Sequence, residues 1–448
     1  MSTKRTLIFV EQYIPKAIKV AREQFGDIDV VILRDIKRKT KDKDRTFTNA
    51  DALIYVDYSV GWKISQALLP YQNSLLAITA RGESGVNSLA NVIPHVPYID
   101  TPSPDSLRWA TDKYEMRRRL KIYDEKNTPK FTKVANNTKT ERDRVAKKIG
   151  FPMVIKPANL QESMLVTICY HEEEFEKSLR NIFRKLRNEY QKNHRTQMPT
   201  IMAEEFMDGD MYSIDSYVNS KGEVYHCPLV RVKTGRDIGH DDFYNYQQIT
   251  PALLKPETIA KAEKVTKTAI HALGLRSTTV HTEMIKIDDE WKVIELGARI
   301  GGFRELLYEL SCGIDHSLND ILIRTPKKLV IPKKINGYAA VLKWFAGKEG
   351  VITEMKGVKK IEQLESFHKI DMRKKIGDRA TFARNGGKSI FNLFLYNKDR
   401  SKLLADIRRV EQMVKVRVLT RGKKAVSKVE NDLVVEKNVV NKDKKKKT

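Results

Sequence analysis

Cysteine is nearly absent. Cys169, Cys227 and Cys312 are the only three among 448 residues, odd in number and far apart. They build neither a disulfide framework nor a CxxC metal site, and they fit a reducing, cytoplasmic setting. Long apolar runs are missing as well. Nothing approaches the roughly 18 consecutive apolar residues of a membrane span. The first apolar run, residues 7–10 (LIFV), is too short for a signal-peptide core, so no cleaved leader is expected. No GxGxxG follows it, which removes the dinucleotide-binding fingerprint. Gly386-Gly387-Lys388-Ser389 has the tail of a phosphate-loop pattern, but the pattern's first glycine would fall at Phe382, and the segment reads as a turn.

What the chain has in excess is positive charge. Against 57 acidic side chains stand 83 basic ones, a net +26, and residues 326–448 alone carry 33 basic and 13 acidic groups. Two readings compete: a solvated basic end that keeps the protein soluble, and a nucleic-acid footprint. No zinc-finger spacing, RNP-type aromatic pattern or KH-type GxxG accompanies the charge, which favours the first and leaves nucleic-acid contact as the alternative. The length suggests two to four domains.

Residues 1–105 alternate apolar runs (TLIFVEQ, DIDVVILRD, DALIYVDYS, SLLAITARG) with helix-like stretches, the signature of a parallel, doubly wound sheet. After a Pro-rich connector at 94–104, Thr111 is expected to cap a helix over DKYEMRRRLKIYDEK, and Gly150 to stop the next one. A strand (FPMVIKPA), an amphipathic helix from 172, strands over 201–233, a helix from Pro256 and a hairpin at 279–296 follow. Residues 335–420 mix strands with the helix RSKLLADIRRVEQMV. The fold class is therefore α/β and α+β, in units at 1–105, 106–325 and 330–420, with a basic, flexible tail at 421–448.

The hairpin TVHTEMIKI-DDE-WKVIELGARIGG carries the most chemistry. If 288–290 is a three-residue loop, Ile287 pairs with Trp291 and Glu283 lies opposite Glu295. Both then share a face with His281, because strand side chains alternate with period two. Directly opposed like charges destabilise a sheet unless a cation lies between them. Oxygen donors without thiolates suit Mg²⁺ or Mn²⁺, and Mg²⁺ is commonly shared with substrate phosphates. The plainer reading puts both carboxylates on a solvated face, and a two-residue turn would put them on opposite faces. Arg299 favours the functional reading, since a guanidinium beside two metal-binding acids can hold a carboxylate or acyl phosphate. Gly301 and Gly302 allow close backbone approach, and the helix starting near Phe303 offers its amides to an anion.

Lys156 ends an apolar strand before Pro157 and can project towards phosphates as a point charge; a surface lysine is the plain reading of it and of Lys113, and neither is specific alone. Residues 203–206 (AEEF) can read an adenine edge through backbone groups, with Glu204 or Glu205 adding a side-chain acceptor, or form an acidic edge strand. His240 and His281 are candidates for substrate contact or proton removal, against the commoner reading of structurally satisfied histidines.

Taken in order, DK at 112–113, GFPMVIKPA at 150–158, AEEFMDGDMYSIDSY at 203–217 and HTEMIKI…VIELGARIGG at 281–302 resemble the ATP-grasp superfamily across residues 106–325. KPANLQESMLVTIC and KTGRDIGHDDFYNYQQITP resemble its carboxylate–amine ligase branch, in particular L-amino-acid ligases and carnosine-synthase-like enzymes. The resemblance implies a pre-ATP-grasp domain, a two-lobed ATP-grasp domain and a small C-terminal lobe. It also implies roles: Lys113 and Lys156 on ATP phosphates, residues 203–206 (Glu204, Glu205, Phe206) at the adenine, Ser163 in the phosphate-covering loop, Glu283 and Glu295 on Mg²⁺, and Arg299 on the acyl phosphate or substrate carboxylate. The sequence departs from the family pattern in three places. Residues 159–165 contain no glycine. Met211 stands where a ribose-binding Glu is usual, leaving Asp210 or Asp215 to compensate, and Gly297 stands where Asn often follows the second metal ligand. The implied activity joins a small carboxylate to an amine at the expense of ATP; homodimerisation stays open. A bicarbonate- or formate-using relative, a basic nucleic-acid-binding protein and an inactive ATP-grasp chain are the rivals.

Overall fold

The four apolar runs of the N-terminal region become strands β1 (Arg5–Val10), β2 (Ile28–Asp35), β3 (Ala52–Val56) and β4 (Leu75–Ala80), connected through helices α1 (Pro15–Phe25) and α2 (Gly61–Leu68) and followed by α3 (Gly82–Val92). The structure, a computed structural model, describes residues 4–43, 45–159, 164–192, 200–240, 243–332 and 334–420; Ser163 and the basic 421–448 segment lie outside the described residues. All pairings in the first sheet are parallel, in the order β3-β2-β1-β4. Such strands are covered on both faces and so are apolar throughout. Phe9 and Ile32 pack against α1, while Ile8 and Val31 pack on the side of α2 and α3, which makes the sheet doubly wound. The chain leaves β1 towards opposite edges, so the ends of β1 and β4 flank a topological switch point, the place where open α/β sheets bind ligands.

Two helices, α4 (Pro104–Thr111) and α5 (Lys113–Asp124), lead out of this unit. Thr111 does not cap α5; it closes α4. Asp112 is the cap, its Oδ1 accepting from the amides of Tyr114 (2.8 Å) and Glu115 (3.0 Å). A carboxylate that takes two amides also suits the positive end of the helix dipole, an advantage threonine lacks. Next come β5 (Phe131–Val134), α6 (Lys139–Ile149), β6 (Met153–Pro157), β7 (Thr167–Cys169), α7 (Glu172–Lys192) and β8 (Ile201–Glu205). They form an antiparallel sheet, β5-β8-β6-β7, packed on α6 and α7 through Ile155, Val145, Phe175 and Leu179. Gly150 stops α6 at a φ of +85°.

The chain continues through β9 (Asp210–Val218), β10 (Val224–His226), β11 (Val230–Thr234), β12 (Asn245–Thr250), α8 (Pro256–Ala272), β13 (Thr278–Ile287), β14 (Glu290–Gly297), α9 (Arg304–Cys312) and α10 (His316–Leu322). Last come β15 (Tyr338–Trp344), β16 (Gly350–Lys356), β17 (Phe367–Met372), β18 (Arg379–Ala380), β19 (Phe391–Asn397), α11 (Arg400–Met413) and β20 (Lys415–Leu419). One nine-stranded sheet, β14-β13-β9-β11-β12-β15-β19-β17 with β10 on β9, spans both stretches; β16, β18 and β20 pair separately. Asp320 of α10 ties this sheet to the first one, accepting from Thr79 Oγ1 at the end of β4 (2.7 Å) and Thr279 Oγ1 of β13 (2.5 Å). Among the described residues no helix is long and apolar enough to cross a membrane.

Candidate active site

Glu283 and Glu295 are register partners, but not for the reason expected. The turn holds two residues rather than three: Ile287 pairs with Glu290, and Lys286, not Ile287, pairs with Trp291. Continued regularly, that register would place Glu295 opposite Thr282 and turn it towards the core. A bulge between the Met284–Val293 and Glu283–Glu295 pairs leaves Ile294 as the extra residue and resets the alternation. Its cause is packing. Trp291, Val293 and Leu296 are all buried in the same core, and Val293 and Leu296 are three positions apart, so Ile294 and Glu295 between them both face away from it. Tyr212 fixes the ring of Trp291 edge-on at 5.1 Å. The two carboxylates thus line one cleft, of about 740 Å³.

Lys113 and Lys156 enter that cleft from different elements. Lys113 is the first residue of α5, and its amide donates to Ala158 O (2.8 Å), which pins the helix start to the end of β6, where Lys156 lies. Lys113 Nζ is 3.3 Å from Glu295 Oε2. Burial works against its charge, but Glu295 and Glu83 outweigh that and raise its pKa. Lys156 contacts Glu204, and Arg117 Nε donates to the same carboxylate at 3.0 Å. Burial opposes the Glu204 charge, yet Arg117 and Lys156 hold its pKa at about 2. Glu204 is therefore committed to two cations rather than left as a spare acceptor.

Residues 203–206 line the cleft through Glu204, Glu205 and Phe206. Glu205 Oε2 accepts from Lys130 N (3.2 Å) and Lys292 Nζ (3.5 Å). The Arg236 guanidinium lies 5.4 Å from the ring centres of both Phe206 and Phe243, and Nη2 is held by Tyr170 Oη at 2.9 Å. This makes a partly apolar wall of ring faces and a guanidinium, chemistry suited to a planar heterocycle.

Arg299 shows what the sequence missed. Its Nη2 donates to Glu83 Oε1 at 2.9 Å, and Glu83 belongs to the start of α3, beside the switch point of the first sheet. Burial and the nearby Glu295 push the Glu83 pKa up. Gln12, just past β1, and Ser84 line the same cleft. The only sequence signal for Glu83 is its place in Gly82-Glu83-Ser84-Gly85, directly after an apolar run.

Behind Glu283 lies a buried network. Asp215 accepts from His281 Nδ1 (2.6 Å), His316 Nε2 (2.7 Å) and Gly301 N (2.8 Å), and His281 Nε2 is 3.5 Å from Glu283 Oε1. Asp215 is fully buried and taken, so it does not compensate for Met211, and Asp210 is paired with Arg231 at 2.6 Å. Burial opposes the Glu283 charge, while His281 and Asn245 hold its pKa at about 2. A Cβ on Gly301 would fall 2.4 Å from His281 Nδ1, so this glycine makes room for the network rather than for a ligand. Gly302 and Phe303 line the cleft. His281 is spoken for at both ring nitrogens, and His240 bonds Tyr244 Oη at 2.8 Å, outside the cleft's lining.

Paired carboxylates and converging lysines thus line one cleft. Residues 149–305 match the ATP-grasp domain family. Among solved structures the chain is similar to an L-amino acid ligase from Bacillus licheniformis, at a TM-score of 0.71 and 17% identity over 94% of this chain and 100% of that one. It is also similar to N5-carboxyaminoimidazole ribonucleotide synthetase from Thermotoga maritima (0.64, 17%, 93% and 100%). A third likeness is the biotin carboxylase domain of 2-oxoglutarate carboxylase from Hydrogenobacter thermophilus, in complex with MgADP, ADP and bicarbonate (0.64, 16%, 92% and 91%). At these identities the likeness is one of fold. No curated protein sequence matches the chain.

Proposed function

We propose that the protein is an ATP-dependent carboxylate–amine ligase acting on amino-acid-like substrates. The observation that carries this reading is the meeting, in one cleft, of Glu283, Glu295, Lys113, Lys156 and Arg299. Such a set balances a triphosphate tail and a reacting carboxylate together. Glu283 and Glu295 fit a divalent cation: they are hard oxygen donors, share a face and leave further positions to phosphate oxygens. Bound there, Mg²⁺ would withdraw charge from the phosphate being transferred.

Lys113 and Lys156 hold the phosphates, and Phe206 with Arg236 seats the base. Arg299 orients the acid so that a carboxylate oxygen attacks the γ-phosphorus. The bond from that phosphorus to the ADP oxygen breaks, leaving an acyl phosphate. The amine nitrogen then attacks the acyl carbon, phosphate departs with the C–O bond's electrons, and the nitrogen's extra proton leaves to phosphate or solvent. Positioning and charge neutralisation are the protein's whole contribution. With ATP, Mg²⁺ and paired amino acids, phosphate release should require both partners and yield an amide by mass spectrometry. Unchanged release in Glu295→Ala would sink the reading; bicarbonate-dependent turnover without an amine would move the protein to the carboxylating members.

A further inference from the structure

The turn bearing Gly386-Gly387-Lys388-Ser389 plays no part in the reaction above, yet it reaches the cleft. Gly387, Lys388 and Ser389 line it, together with Arg373 just past β17. The turn's shape is fixed. Gly386 has a φ of +78°, the amide of Gly387 donates to Phe382 O (2.9 Å), and a Cβ on Gly387 would fall 1.9 Å from Thr381 O. Glycine alone closes it. Glu349 fastens it, accepting from Phe382 N (2.8 Å) and Asn385 Nδ2 (2.9 Å). It also touches the opposite lobe, where Leu165 N donates to Arg384 O (3.2 Å) and Lys185 Nζ to Asn385 Oδ1 (2.9 Å).

Beside this turn, basic side chains outnumber acidic ones among the described residues. A second concavity, of about 640 Å³, shares Arg373, Gly387 and Lys388 with the cleft and adds Lys374, Arg379 and the acid Asp378. Asp378 already accepts from the Lys375 amide (2.8 Å), and Lys374 Nζ donates to Arg379 O (2.6 Å). Arg373, Arg379 and Lys388 are paired with no carboxylate among the described residues.

We propose that this concavity is a second anion site, which takes a phosphate or second carboxylate carried by the acid substrate away from its reacting group. The inference rests on the ligase reading and narrows it, from amino-acid-like acids to those with an anionic tail. Arg373 supplies a planar fork for either oxyanion, and Lys388 a mobile point charge. Both are exposed, so their hold weakens as salt rises.

The test uses the full chain saturated with MgADP at low salt, titrated calorimetrically with inorganic phosphate and, separately, with succinate. Arg373→Gln/Lys388→Gln should bind the preferred anion at least about tenfold more weakly, and Arg379→Gln, at a residue that lines this concavity but not the cleft, should also weaken that binding while binding MgADP as before. Lys375→Gln, which lies next to the site without lining it, should change neither. The anion whose binding falls identifies the tail as phosphate or carboxylate. Absent anion binding in the unaltered protein, or equal affinity in the double variant, overturns the site. Failure of MgADP to bind would instead overturn the ligase reading, and the same anion titrations run without nucleotide would still report on this one.

Discussion

A carboxylate facing a carboxylate is a poor choice for stability, and at Glu295 that cost is met by Lys113, not by the fold around it. Glu295→Gln should therefore lower ATP-dependent phosphate release by about 100-fold or more while leaving the urea midpoint nearly unchanged. Equal losses in rate and midpoint would assign Glu295 to structure instead. His226 gives a prediction of the opposite kind. Its Nδ1 lies 2.9 Å from Ser216 Oγ, and burial, assisted by Lys267, lowers its pKa from 6.5 to about 4. Between those values the unfolded chain takes up a proton that the folded one refuses, so stability falls as pH drops through the window. The full effect is about 3 kcal/mol for this one group. Unfolding curves at pH 7.5, 5.5 and 4.5 measure it, and His226→Gln should flatten the part of the slope it contributes.

At the scale of elements, α5 shows how a cap becomes part of a site. Asp112 holds the first turn, and that turn carries Lys113 to the end of β6. Asp112→Ala should cost about 1 kcal/mol. It should also weaken ATP binding severalfold, which separates it from caps that only stabilise; fluorescence titration with a nucleotide analogue reads the second effect. The sequence made the helix visible but misplaced its cap by one residue, because Thr111 and Asp112 are both favoured cap types and only the backbone's extended turn at Asp112 distinguishes them. The hairpin was legible in the same partial way. Its acidic pair follows from β-rich runs around a polar turn, but the two-residue turn and the bulge compensate each other. A signal for the bulge is present: Val293 and Leu296 are both core residues three apart, which period two does not allow. The bland reading of Gly386-Gly387-Lys388-Ser389 as a turn agrees with its backbone, though nothing local says that it opens onto the cleft.

For the whole molecule, alternating apolar runs and helices made the first sheet readable, but strand order is a long-range property that no local pattern contains. Order decides which loop ends meet the cleft. Because β1 and β4 are neighbours, Glu83 at the start of α3 comes to rest against Arg299, 216 residues later. This contact couples the first sheet to the charged groups of the cleft: Arg299 is drawn towards Glu83 on one side and lies in the field of Glu295 and Glu283 on the other. On the proposed ligase reading Glu83 would be a positioning residue, holding the guanidinium ready for the acid. Glu83→Gln keeps the shape and a weaker hydrogen bond but removes the charge. It should reduce kcat/KM for the acid substrate about tenfold and lower the affinity for MgATP by clearly less, since Lys113 loses the Glu83 charge but keeps Glu295 and the anchoring of its amide on Ala158 O. A parallel fall in nucleotide affinity would mean that Glu83 supports the cleft as a whole. An unchanged kcat/KM would mean that Arg299 is positioned by its own strand end alone, and the first sheet would then serve the site only as a wall.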